Sequence, residues 1–249
     1  MSRNEVYNTL TKYGIYTCGE ITVFSDLGEI LKLCRFFNQG ELVSYERPDA
    51  YIKVGNEILI IEHFIIDGYD TFDDGGSKLM CNIKKIQKEF DKIPATTNVV
   101  HKTEPLGIYN SYDAFLTNCK ERFNHHYEQI ESYKMHLLEK HIADANTKFT
   151  VCFLMDEISP LGTLTYDGEK VHPVCLAKSK EFLDYFGSMK DVDWIISAVV
   201  LPDRQKPYFF SQNEIRECKK SVIDYAAFQF LSSNTMQMNF KVLIPQDEM

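Results

Sequence analysis

Residues 46–64 read ERPDAYIKVGNEILIIEHF, and the way this stretch pairs with itself decides how the chain folds. Two apolar runs, DAYIKV and EILIIEHFIID, flank Gly55-Asn56, a pair suited to a two-residue hairpin loop. Such a loop sets Val54 against Glu57 and, further along, Asp49 against Glu62. Facing residues on one side of an antiparallel pair have β-carbons about 5 Å apart. Two carboxylates at that separation repel unless a proton or a cation lies between them, and a hard divalent cation such as magnesium or manganese suits carboxylate oxygens.

The elements on either side extend the pattern. ELVSYERP reads as a short strand that completes a three-strand meander, preceded by a helix that starts after an N-capping Ser25. Its apolar stripe is Leu27, Ile30, Leu31, Leu33, Cys34 and Phe37, it ends at Asn38-Gln39-Gly40, and Glu29 sits in its first turns. After the hairpin, DGYDTFDDGGSK (residues 67–78) reads as an acidic loop whose spacing does not fit an EF-hand, and NIKKIQKEFDKI as a short basic helix. A polar link then leads to the longest helical pattern, from Tyr112 to Ala143, with Phe115, Leu116, Cys119, Phe123, Tyr127, Ile130, Leu137 and Leu138 on its apolar face. KFTVCFLMDEI is apolar enough for a central strand. AKSKEFLDYFGSM follows as a helix, VDWIISAVV and KPYFFSQ as strands, and NEIRECKKSVIDYAAFQFL as a long C-terminal helix. The expected fold class is α/β in a single domain over residues 1–249, with an inserted segment at about 65–111 and a C-terminal α/β extension from about 160.

Composition narrows the function classes. The formal net charge of −9 repels phosphate, so a nucleic-acid partner requires a local basic patch or bound cations. Seven cysteines, odd in number and never spaced as CxxC, argue against a disulfide framework and a thiolate zinc site. The N-terminus lacks a signal-like apolar core, and no apolar run approaches the roughly 18 residues of a membrane span, so a cytoplasmic protein without a membrane partner is expected. No Gly-x-Ser-x-Gly elbow appears, and no glycine-rich phosphate loop follows a strand.

Pro48-Asp49 on one strand and Glu62 on the next resemble the signature of the PD-(D/E)XK nuclease superfamily, and Glu29 lies on the helix before them. The helix, meander, helix and strand over residues 25–64 and 112–155 are similar to that family's restriction-endonuclease-like core, a central mixed sheet flanked by helices. IEHFIID, MDEISPLG and VDWIIS are also similar to poorly characterised nuclease-like proteins of bacteria and their mobile elements.

The resemblance implies that Asp49 and Glu62 hold magnesium or manganese and that the substrate is DNA or RNA. It also implies a lysine two residues after Glu62, where this chain has Phe64. Arg47, expected opposite Phe64, is the nearest replacement cation, and as an always-protonated group it can only stabilise charge. Lys53 is about 13 Å along its strand from Asp49, and Lys78 falls in the acidic loop. On the long helix, His126, Gln129 and Lys134 are further candidates, whereas Asp156-Glu157 reads as a turn cap or a solvent-exposed pair, with extension of the acidic cluster as the alternative. Two functional expectations result. One is a divergent metal-dependent nuclease with Asp49, Glu62, Arg47, Glu29, His126 and Lys134 at its site. The other is an inactive nuclease-like module that binds a protein partner in a bacterial defence or mobile-element system.

Overall fold

In the computed structural model, Gly55 takes a φ of 60°, a left-handed conformation that a side chain would strain, and the chain reverses there in two residues. The structure describes residues 5–17, 21–23, 27–66, 98–106, 112–157, 164–166, 171–173, 176–199, 207–215, 229–230 and 236–244. In chain order the elements are α1 (Glu5–Lys12), β1 (Thr22–Val23), α2 (Leu27–Gln39), β2 (Leu42–Ser44), β3 (Ala50–Val54), β4 (Glu57–Ile66) and β5 (Asn98–Leu106). Next come α3 (Tyr112–Tyr127), α4 (Ile130–Glu139), β6 (Lys148–Glu157), β7 (Leu164–Tyr166), β8 (Val171–Pro173) and α5 (Lys180–Phe186). The last are β9 (Trp194–Val199), β10 (Tyr208–Ser211), β11 (Gln229–Phe230) and β12 (Met236–Ile244).

Seven strands form one mixed sheet in the order β1-β10-β9-β6-β4-β3-β2. The β2-β3-β4 meander is antiparallel, and Val54 faces Glu57 as the Gly-Asn turn requires. From β4 the chain crosses over through α3 and α4 to β6, which lies parallel to β4, and β9 lies parallel to β6. A parallel pair needs such a crossover, and strands covered on both faces read as continuous apolar runs. Ile58, Leu59, Ile60 and Ile61 are accordingly all buried.

Alternation along β4 divides the core in two. Ile58, Ile60, Phe64 and Ile66 pack with α3, α4 and α5 through Phe115, Phe123, Tyr133, Leu137 and Phe182. Leu59 and Ile61 pack with α1 and α2 through Val6, Leu10, Ile30, Leu33 and Phe36. Helices therefore cover both faces of the sheet.

Four expectations need correction. The apolar stripe of α2 is centred on Ile30, Leu33 and Phe36, while Leu27 and Leu31 face outward. The long helix breaks after Tyr127, where Gln129 N–H bonds to His126 O in a tight three-residue turn, and its second part ends at Glu139. The polar link contains strand β5, which pairs along its length with β12, so the inserted segment and the C-terminal extension meet in one ribbon. Gln229-Phe230 is a short strand paired with β7 rather than the end of a helix. Ser25, the acidic loop with Lys78, the basic helix and most of the C-terminal helix lie outside the described residues. Among the described residues no helix is long and apolar enough to cross a membrane. Cys34, Cys119 and Cys152 are not in disulfides.

Candidate functional site

The β3–β4 ladder begins at Ala50 opposite Ile61, which carries Asp49 to Glu62 one step beyond it, on the α3/α4 face. There the two acids interlock. Asp49 N–H donates to Glu62 Oε1 at 3.1 Å, and His63 N–H donates to Asp49 Oδ2 at 2.9 Å. Asp49 Oδ1 has no hydrogen bond among the described residues.

Glu62 is only 3% exposed, and burial of an ionised carboxylate is costly unless donors surround it. Helix α3 supplies one. His126, in the last turn of α3, places Nδ1 at 2.9 Å from Glu62 Oε2. Tyr133 on α4 lies close enough for its hydroxyl to feel the same carboxylate, and burial together with the negative charges of Glu62 and Asp49 pushes the phenol well above its ordinary pKa. The turn between α3 and α4 lets both side chains converge on Glu62.

Asp49 lacks comparable donors. Its carboxyl is raised above the ordinary aspartate value, first by burial and then by the charge of Glu62, against opposing contributions from the His63 N–H, His126 and His63. Ionised, the pair is electrostatically frustrated, and a cation or a shared proton relieves it.

Phe64, at the position where the resemblance implies lysine, is buried and stacks on the His126 imidazole with centroids 4.8 Å apart and planes 15° apart. It also meets Phe123 and Phe153 edge to face. This ring fixes the orientation of His126, so the non-lysine residue supports a neighbouring polar side chain instead.

The remaining candidates are dispersed. Arg47 is exposed in the bend at 46–49, outside the ladder that was expected to set it against Phe64, and its charge is felt at the Tyr133 hydroxyl. Glu29 accepts from Trp194 Nε1 at 2.8 Å and from Lys32 at 2.5 Å, two strands away from Glu62. Lys134 pairs with Glu131 at 2.6 Å. Glu29 and Lys134 both act on Asp193, before β9, whose carboxyl is raised mainly by burial. Lys53 reaches Ile142 O, on the same face of the sheet but at the far end of its strand from the acids. Helix periodicity resolved neither Glu29 nor Lys134, because it gives a face but not the height at which that face meets the sheet.

Sequence reasoning missed two partners. Tyr133 was visible only as an apolar-face residue beside His126, although that shared face was the available signal. A second polar cluster lies on the α1 face, where Tyr13 donates to Asp156 Oδ1 at 2.8 Å and Thr9 Oγ1 lies 3.1 Å from His63 Nε2. Asp156 thus accepts from a buried phenol, and the turn it was expected to cap lies outside the described residues.

Among the described residues no group of three or more His, Cys, Asp or Glu side chains is arranged to hold a metal ion. The Asp49–Glu62 pair instead fits the way magnesium is usually held, by one or two carboxylates with water and substrate phosphate completing the shell. No family model, curated protein or solved structure matches the chain.

Proposed function

We propose that the chain is a divergent metal-dependent phosphodiesterase of the PD-(D/E)XK kind, acting on DNA or RNA, with Asp49 and Glu62 as the ligands of magnesium or manganese. The observation that carries this reading is the interlocked pair itself, two carboxylates on one sheet face with Asp49 short of donors and held above its ordinary pKa. The element order of helix, antiparallel meander, crossover helices and parallel strand supports the restriction-endonuclease-like form of the sheet.

Each residue has a definable task. Asp49 Oδ2 accepts from the His63 N–H, which leaves Oδ1 without a hydrogen bond among the described residues. Glu62 is oriented by the Asp49 N–H at one oxygen and His126 at the other. Arg47, exposed beside the pair, supplies a fixed positive charge for a phosphate. When bound, the cation would activate water and stabilise charge at phosphorus during in-line displacement.

Titration calorimetry with manganese, alongside cleavage assays on single- and double-stranded DNA and RNA, tests the reading. The wild type should bind the ion and cleave one of these substrates. Asp49→Ala and Glu62→Ala should each lose at least about a hundredfold in cleavage, since removal of groups behind the ligands alone costs about 10- to 100-fold.

A second reading is supported by Phe64, which puts an aromatic core residue where the nuclease pattern has its lysine. On that reading the chain is an inactive nuclease-like binding or assembly module, and neither manganese binding nor divalent-dependent cleavage occurs.

A further inference from the structure

We propose that helix α1 is a positioning element for the Asp49 carboxylate, acting through the hydrogen bond between Thr9 and His63. The inference rests on the reading of Asp49 as a functional acid. It concerns the face of the sheet opposite the carboxylate pair.

His63 belongs to both faces at once. Its backbone N–H donates to Asp49 Oδ2 on the α3/α4 side, while its imidazole turns to the α1 side, where Nε2 lies 3.1 Å from Thr9 Oγ1. The direction of that second hydrogen bond follows the ring's tautomer. Thr9 and His63 are both buried, so water does not readily replace either partner. Glu5, one turn earlier on α1, faces Nδ1 of the same ring at 4.0 Å.

The flanking residues fix the rest of this peptide. Glu62 is tied to α3 by His126, and Phe64 is stacked on the same imidazole. The peptide that donates to Asp49 is therefore fastened on alternate sides, with Thr9 as its hydrogen-bonded fastening on the α1 side. Val6, Leu10 and Tyr13 hold α1 to the sheet by apolar packing, which sets its distance but gives no direction to the imidazole. The Thr9 hydroxyl supplies that direction.

Thr9→Val keeps the shape and removes the hydroxyl, Thr9→Ser keeps the hydroxyl, and Tyr13→Phe disturbs α1 and Asp156 while leaving the Thr9–His63 hydrogen bond in place. Amide hydrogen exchange of His63, relative to Ile60 on the same strand, is the first readout. Manganese affinity by calorimetry is the second. Thr9→Val should speed exchange at His63 by about tenfold, the equivalent of one ordinary hydrogen bond, with Ile60 unchanged. Its manganese affinity should fall by about 10- to 100-fold, as for other groups behind a metal ligand. Thr9→Ser should restore both, and Tyr13→Phe should leave His63 exchange as in the wild type.

Unchanged His63 exchange in Thr9→Val, failure of Thr9→Ser to restore it, or an equal effect of Tyr13→Phe would each overturn the proposal. Unchanged manganese affinity in a Thr9→Val protein whose wild type binds the ion would do so too. If the wild type binds no manganese while His63 exchange still responds to Thr9→Val, the hold of α1 on Asp49 stands and the cation reading falls.

Discussion

Glu62 and His63 are adjacent on β4, both are buried, and their side chains point to opposite faces of the sheet. On the α1 face the polar groups complement one another, with a phenol on a carboxylate and a hydroxyl on an imidazole. On the α3/α4 face two carboxylates share one small region, and the less exposed of them has taken most of the donors. The first arrangement needs nothing further, whereas the second leaves one acid in want of a partner. A self-satisfied network is the mark of a structural role, and a frustrated one is the better candidate for a ligand.

The largest effect expected from breaking this contrast comes from Phe64→Lys. Lysine at this position would reconstitute the nuclease pattern, but the ring it replaces is packed among Phe123, Phe153 and His126. Loss of that packing alone should cost about 3 kcal/mol or more. A urea midpoint equal to that of the wild type would show that the aromatic cluster tolerates a buried cation.

A smaller effect should come from the complementary face. Tyr13→Phe leaves the buried Asp156 without its phenol donor and should destabilise by about 1–3 kcal/mol, as for other buried groups deprived of a partner. Chemical denaturation measures it directly, and no loss would mean that the two faces are less different than their geometry.

The smallest effect concerns Asp49 in metal-free buffer. Its folded-state pKa is raised by burial and by Glu62, so the folded protein holds this proton to higher pH than the unfolded chain does. Its contribution to stability is thus fully present below the unfolded value of about 4 and is lost as pH rises through the folded value. Asp49→Asn should remove that loss and flatten the stability profile above about pH 4. A wild type and variant that lose stability in parallel from pH 4 to 7 would count against charge frustration at the pair.

Much of the site was legible in the hairpin. Gly55-Asn56 specifies a two-residue loop, the loop fixes the register, and the register brings Asp49 to Glu62, all within one local stretch of chain. The central strands β4, β6 and β9 were equally legible, because strands buried on both faces are apolar without alternation. The pairing of β5 with β12 was not, since residues so far apart in sequence leave no local trace of their contact. Nor was the break at residues 128–129, where the hydrophobic period continues through a turn that contains neither Gly nor Pro.

The sequence by itself therefore determined the meander, the sheet's central strands and the meeting of two acids, because turn chemistry and side-chain alternation act over a few residues. Only the tertiary structure decided which helices serve those acids. It brought His126 to Glu62 with Tyr133 close by, put Glu29 on Trp194 and Lys134 on Glu131, and set Thr9 behind His63. The physical reason is that a helix's own period defines its faces, while the height at which it packs on a sheet depends on the shapes of distant side chains in the core.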